Sequence, residues 1–217
     1  MIKAVLFDLD GVLIETEYRH VMIKADICRQ YGLTWTDDTF YLAAGRKFTE
    51  VLPDLFPDKT PEELKAINDH YYRVAYTRLD YHALKTEGAG TVLRALHNQG
   101  YKLAIVSTSN SEKLSQVIGD NHWEKLIDVV ITSSMVSKTK PDPESYLQTM
   151  DILGLKPEEC IVVEDSRIGI EAAHRAGCIV ICRREQRYPC NQEGADYYVD
   201  DLLDVVTLIN ELSNKSR

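Results

Sequence analysis

Five short apolar runs, at 4–7, 103–106, 129–132, 161–163 and 178–182, are rich in β-branched residues and too short for helices. They predict strands. Between and after them apolar residues recur at helical spacing: Val92, Leu93 and Leu96 before Gly100; Leu114, Val117 and Ile118; Tyr146, Leu147 and Met150; Ile168, Ile170, Ala172 and Ala173 before Gly177; and a last helix over 202–212. Near-continuous apolar strands alternating with helices belong in a parallel sheet covered on both faces. The expected fold is therefore α/β, a doubly wound, Rossmann-like parallel sheet.

Residues 16–83 break the alternation, because they hold several helical patterns and no strand-like run. Val21, Ala25, Cys28 and Tyr31 fall on one helical face, which Gly32 ends. Thr60-Pro61-Glu62-Glu63 is a helix start, with a capping hydroxyl, proline in the first turn and acids against the helix dipole. Leu64, Ile67, Tyr71 and Val74 then form a stripe for burial. The pattern predicts a small all-helical insert at 16–83 after the first strand, and a core domain made of 1–15 and 84–217. Hinges are expected near 14–17 and 81–88, with Gly88 as a pivot.

Composition narrows the partners. Against 34 acidic residues stand 25 basic ones, for a net charge of -9, and no basic stripe is present. Nucleic acid would be repelled over most of such a surface. A small anionic substrate held by local cations is compatible with it. The N-terminal apolar run, of about five residues, is shorter than a secretory core, and no stretch reaches the length of a membrane span. The expectation is a cytoplasmic protein with no membrane attachment. Cys28, Cys160, Cys178, Cys182 and Cys190 are odd in number and form no C-x-x-C pair, which points to reduced thiols, mostly in the core. A monomer is expected, since a chain of 217 residues has an ample core of its own.

Open α/β sheets bind ligands beyond the carboxyl ends of their strands. The first run delivers Asp8 and Asp10, two apart on a strand and so on one side. Crowded carboxylates call for a hard cation such as Mg²⁺, and Gly11 allows a sharp turn just past them. The second delivers Ser107, Thr108, Ser109 and Asn110, which suit an oxyanion and equally suit turn and cap chemistry. Lys140-Pro141-Asp142-Pro143 is a rigid elbow whose lysine can meet developing negative charge. The fourth run delivers Glu164 and Asp165, able to complete an oxygen-rich Mg²⁺ site, while Asp165 could also cap the next helix.

With these residues in view, the chain resembles the haloacid dehalogenase superfamily, on the branch of β-phosphoglucomutase and phosphoglycolate phosphatase. Asp8-Leu9-Asp10-Gly11-Val12-Leu13 resembles its first motif, Ser107 its second, Lys140-Pro141 its third, and Glu164-Asp165-Ser166 with Gly169 its fourth. The helical insert sits where this branch carries a cap domain. The resemblance implies that Asp8 is a nucleophile forming an aspartyl-phosphate and that Asp10 is the general acid and base. It implies a Mg²⁺ held by Asp8, the Asp10 carbonyl and Asp165, with Glu164 orienting bound water. Ser107 would donate to the phosphoryl group, and Lys140 would neutralise charge there. Thr108 and Asn110 join Ser107 as expected substrate contacts.

Dehalogenases of this superfamily lack an acid at the second position, so Asp10 argues for phosphoryl transfer. Phosphonatases carry a Schiff-base lysine in the cap; Lys24 lies in the insert, with nothing beside it in sequence to support that role. Glu15-Thr16-Glu17-Tyr18-Arg19-His20 resembles the mutase lead into the cap, where His20 would influence Asp10. The mutase Gly-x-x-Arg element is not matched, because Gly45 is followed directly by Arg46, Lys47 and Phe48. The expected function is thus a Mg²⁺-dependent phosphatase acting on a small phosphorylated metabolite, such as a sugar, polyol or short-acid phosphate. A phosphosugar mutase is the alternative. A silent, ligand-binding relative would be expected to lose Asp8, Asp10 or Asp165, and all three are present. The cap face is expected to offer Tyr18, His20, Arg46, Lys47, Phe48, Tyr72 and Arg73 to substrate.

Overall fold

A computed structural model describes residues 1–43, 46–78, 80–187 and 190–215. Its strands are β1 (Ala4–Phe7), β2 (Lys102–Val106), β3 (Val129–Ile131), β4 (Cys160–Glu164), β5 (Ile179–Arg183) and β6 (Tyr197–Val199). They form one parallel sheet in the order β3-β2-β1-β4-β5-β6. The winding therefore reverses direction between β1 and β4, the place where such sheets open a crevice for ligands. Five strands fall on the apolar runs. The sixth, β6, has no apolar run to announce it: Tyr197 is exposed and only Val199 is buried.

Nine helices lie among the described residues: α1 (Thr16–Gln30), α2 (Asp37–Ala43), α3 (Phe48–Leu55), α4 (Pro61–Arg78), α5 (Ala89–Asn98), α6 (Ser111–Asp120), α7 (Glu144–Leu153), α8 (Arg167–Arg175) and α9 (Asp204–Lys215). None is long and apolar enough to cross a membrane. The chain divides into two units, Met1–Ile14 with Tyr81–Arg217, and Glu15–Asp80.

In the larger unit the strands send alternate side chains to opposite faces, as the two-residue period requires. Val5, Phe7, Leu103, Ile105, Ile161 and Val163 join α5, α6 and α9 in one cluster. Ala4, Leu6, Ala104, Val106, Cys160 and Val162 join α7 and α8 in the other. Both faces are thus covered. Leu147 and Ile168, two of the apolar residues of these helices, are exposed, because each lies on the solvent side of its helix. Four of the cysteines are buried and free, and Cys190 is exposed.

The smaller unit is all helical in its described residues, with Ile23, Ile27, Phe48, Val51, Leu52, Ile67 and Tyr71 at its centre. The start of α4 is a reciprocal cap: the Glu63 amide donates to Thr60 Oγ1, and the Thr60 amide donates to Glu63 Oε2. Tyr31 does not continue the apolar face of α1. It follows the last helical residue, where the chain turns at Gly32, and is exposed.

Candidate active site

The Asp8 amide donates to the Val163 carbonyl at 2.9 Å, carrying the β1–β4 pairing one residue beyond the strand. Leu9 points into the core, so Asp8 and Asp10 share the other side. Gly11, at φ 84°, closes the turn with its amide on the Ile14 carbonyl at 2.8 Å. A Cβ there would lie 1.8 Å from Asp165 Oδ2. Asp165 therefore packs directly on the turn that carries the first acid pair, and only glycine permits the approach.

Lys140 fills the space between two carboxylates. Its ammonium donates to Asp8 Oδ1 at 2.5 Å, to Glu164 Oε1 at 2.6 Å and to the Val106 carbonyl at 2.9 Å, which uses all three of its protons. Tyr146 Oη adds a hydrogen bond to Glu164 Oε1 at 2.8 Å. The other Glu164 oxygen accepts from the Asp165 and Ser166 amides and from Ser166 Oγ. Gly169 is needed beside it, since a Cβ would fall 1.8 Å from Glu164 Oε1.

Charge is unevenly served in this network. Burial pushes the Glu164 carboxyl up, but Lys140, Tyr146 and the Ser166 amide outweigh it and hold the group below the ordinary range. Burial raises Asp8 to about 7, with Glu164 adding to the rise and Lys140 opposing it. Burial alone would lower Lys140, yet Asp8 and Glu164 together raise it, so its ammonium stays charged. One cation faces two buried carboxylates, and Asp8 is the acid left short of positive charge.

Carboxylate oxygens of Asp8, Glu164 and Asp165 lie within 4.8 Å of one another. Three hard donors, an under-compensated Asp8 and a glycine-built seat for Asp165 fit a hard divalent ion such as Mg²⁺. Glu164 differs from its expected water-orienting part in one respect: both of its oxygens already accept protein hydrogen bonds, and they bind it chiefly to Lys140 and the Ser166 turn.

Ser107 is buried just beyond β2, and its Oγ accepts the Ser109 amide at 3.0 Å. It donates its own proton to no described residue, which leaves that proton for an oxyanion. Thr108 is exposed beside it. Asn110 is engaged elsewhere, because its side chain caps α6 by accepting the Lys113 amide. The cap of α8 is Ser166, through the Gly169 amide, and not Asp165. Its hydroxyl oxygen can turn back onto the helix, leaving the Asp165 carboxylate beside Gly11.

The sequence did not point to Lys113. From the first turn of α6 it donates to Asp10 Oδ1 at 2.6 Å, while Ser109 Oγ donates to Asp10 Oδ2 at 2.8 Å. The available signal was positional: Lys113 stands three residues after a helix-capping Asn110 at a strand end already rich in polar groups.

Residues expected of the cap lie in the helical unit. His20 Nδ1 is hydrogen bonded to Tyr71 Oη at 2.7 Å. The Arg46 guanidinium folds onto its own unit, donating to the Leu42 and Glu50 carbonyls and standing 3.7 Å from Asp54. Lys47 is exposed and makes no polar side-chain contact with a described residue. Phe48, expected on a substrate-facing surface, is instead 1% exposed in the unit's own core. Its ring packs edge-on against Tyr71. Gly45 lies outside the described residues. Lys24 is buried and donates to the Ala43 and Arg46 carbonyls at 3.0 and 2.8 Å, a structural employment for its ammonium.

The parallel sheet thus carries an acid pair after its first strand, a lysine between Asp8 and Glu164, and Asp165 beside them at the winding reversal. A model of the haloacid dehalogenase-like hydrolase family matches residues 5–182. The validoxylamine A 7'-phosphate phosphatase of Streptomyces hygroscopicus subsp. limoneus is 33% identical over 83% of this chain and 85% of its own length. A phosphorylated carbohydrates phosphatase of Thermotoga maritima is 30% identical over 81% and 82% respectively. The crystal structure of a haloacid dehalogenase family hydrolase from Deinococcus radiodurans, with bound phosphate and sodium, superposes with a TM-score of 0.81 at 25% identity, covering 97% of this chain and 96% of that one. The chain belongs to the haloacid dehalogenase-like hydrolases, on their β-phosphoglucomutase and phosphoglycolate phosphatase-like branch.

Proposed function

We propose that this phosphoric monoester hydrolase is a Mg²⁺-dependent phosphatase of a small sugar, polyol or short-acid phosphate, working through an aspartyl-phosphate on Asp8. The observation that carries the reading is the buried Asp8 carboxylate beside Lys140, within reach of Asp165 and Glu164. Names of the relatives support the substrate class, since one is a phosphorylated carbohydrates phosphatase and another a hexitol phosphatase.

Asp8 attacks phosphorus, forming a P–O bond as the ester P–O bond breaks, and Asp10 gives its proton to the departing oxygen. Asp10 then takes a proton from water as that water attacks phosphorus. The Asp8–phosphorus bond breaks, and inorganic phosphate leaves. Lys140 offsets negative charge on Asp8 and the phosphoryl group, while the free Ser107 proton serves a phosphoryl oxygen. Asp8 and Asp165, with the Asp10 carbonyl, would hold Mg²⁺, which when bound supplies positive charge against the phosphoryl oxygens, with Glu164 behind them on Lys140. The helical insert acts as the cap that selects the leaving group, with His20, Arg46, Lys47 and, from the core, Thr108 as the contacts to test.

Phosphate release over sugar, polyol, glycolyl and nucleotide phosphates tests the reading, with EDTA and Asp8→Asn as controls. Release from one of the first three classes, lost in both controls, is expected. Turnover that survived Asp8→Asn would overturn the mechanism. Bisphosphate-primed conversion of β-glucose 1-phosphate to the 6-phosphate would identify a mutase instead.

A further inference from the structure

We propose that Gln192 and Arg183 are positioning residues for the divalent cation, an inference that rests on the metal reading of Asp8 and Asp165. The peptide unit on each side of Asp165 is held by a side chain and not by regular secondary structure. Its amide donates to Glu164 Oε2 at 3.1 Å, and its carbonyl accepts Gln192 Nε2 at 2.5 Å. The same Gln192 nitrogen donates to the Arg183 carbonyl at 3.0 Å, and Gln192 Oε1 accepts the Glu185 amide at 2.9 Å. Both protons and the oxygen of this carboxamide are thereby used.

Arg183 completes the brace from the other side. Its Nη1 donates at 2.6 Å to the carbonyl of Gly11, the residue on which the Asp165 carboxylate packs. Arg183 is itself anchored at the end of β5, where it pairs with Val199 of β6. One pair of neighbouring side chains therefore holds both backbone units that set where the Asp165 carboxylate stands relative to Asp8. The hydrogen bonds described for Gln192 and for the Arg183 side chain run to backbone groups. Their effect is on geometry, and a metal site that demands near-ideal octahedral coordination is sensitive to that.

Calorimetric titration of Mg²⁺ into the substrate-free, full-length protein tests this without using turnover. Gln192→Met keeps the side-chain volume and removes every hydrogen bond. It and Arg183→Met are expected to weaken Mg²⁺ binding roughly tenfold, the lower end for losing an outer partner of a metal ligand. Arg183→Lys, which keeps one donor, should recover part of that loss. Asn191→Ala removes only a contact to the Glu193 amide and should bind as wild type. Thermal melts of the metal-free proteins separate loss of fold from loss of site. If Gln192→Met destabilises the fold, the Arg183 pair of variants decides. Wild-type affinity in folded Gln192→Met, or in both Arg183 variants, overturns the inference while leaving the metal reading intact, provided Asp165→Asn abolishes binding. Wild-type affinity in Asp165→Asn overturns both.

Discussion

Lys140 donates a 2.6 Å hydrogen bond to Glu164 with both side chains withdrawn from water, at 3% and 0% exposure. Glu164 is in this sense the foundation of the site: it holds the ammonium that in turn reaches Asp8. Removing the cation from a buried ion pair leaves charge uncompensated. Lys140→Met should lose about 3–5 kcal/mol of stability, read from urea unfolding, as well as turnover.

Lys113 makes a charged hydrogen bond to Asp10, a kind of contact worth about 1.5–3 kcal/mol. Lys113→Met should lower kcat/KM roughly ten- to hundredfold if that contact is retained in the reacting complex. Lys113→Arg should restore part of the loss. Steady-state kinetics on the substrate identified by the screen would check this, and unchanged kinetics in Lys113→Met would remove Lys113 from the site.

Glu144 fastens the segment leading to Lys140, accepting from the Ser137 amide, Ser137 Oγ and the Lys138 amide. The Ser137 hydroxyl and amide, aided by Lys138, hold its carboxyl below the ordinary 4.5. An acid with a depressed folded pKa stabilises fully above its unfolded value and less as pH falls through the folded one. Stability should therefore decline below pH 4.5 with a contribution that Glu144→Gln abolishes, visible as a shallower acid limb in the pH dependence of the urea midpoint.

EDTA should abolish turnover and leave the fold in place, because two hydrophobic clusters hold the sheet independently of the carboxylates. Circular dichroism before and after chelation, with activity regained on adding Mg²⁺, is the check.

Lys24 ties the end of α2, at the Ala43 carbonyl, to the Arg46 carbonyl ahead of α3. Lys24→Met leaves two acceptors without their donor, at a cost of about 1–3 kcal/mol each when buried. Faster amide exchange confined to Glu15–Asp80 is expected. Trapping of Lys24 by borohydride in the presence of substrate would instead point to imine chemistry.

The sheet was largely legible in the sequence because its central strands are buried on both faces and so appear as unbroken apolar runs. Edge strand β6 was not, since an exposed Tyr197 and a half-buried Tyr198 leave only Val199 to mark it. Asp8, Ser107, Glu164 and Asp165 stood out because a parallel sheet places whatever follows each strand at one end, and Lys140 stood out as the lysine of a proline-rigid elbow. Lys113, Gln192 and Arg183 escaped that rule for different reasons. Lys113 reaches back from a helix, Gln192 acts through backbone carbonyls, and an arginine at the close of an outer strand looks like an ordinary surface residue. Phe48 shows the opposite error, an aromatic assigned to recognition that its helical unit needs for packing.

The strand order also separates chemistry from wear. Asp8, Ser107 and Asp165 follow β1, β2 and β4, three consecutive strands inside the sheet, whereas β3 and β6 form the borders. Local opening begins where backbone hydrogen bonds have one partner strand instead of two. Fraying of β6 would therefore reach the Arg183–Gly11 contact before it reaches the nucleophile, which keeps its register between β2 and β4.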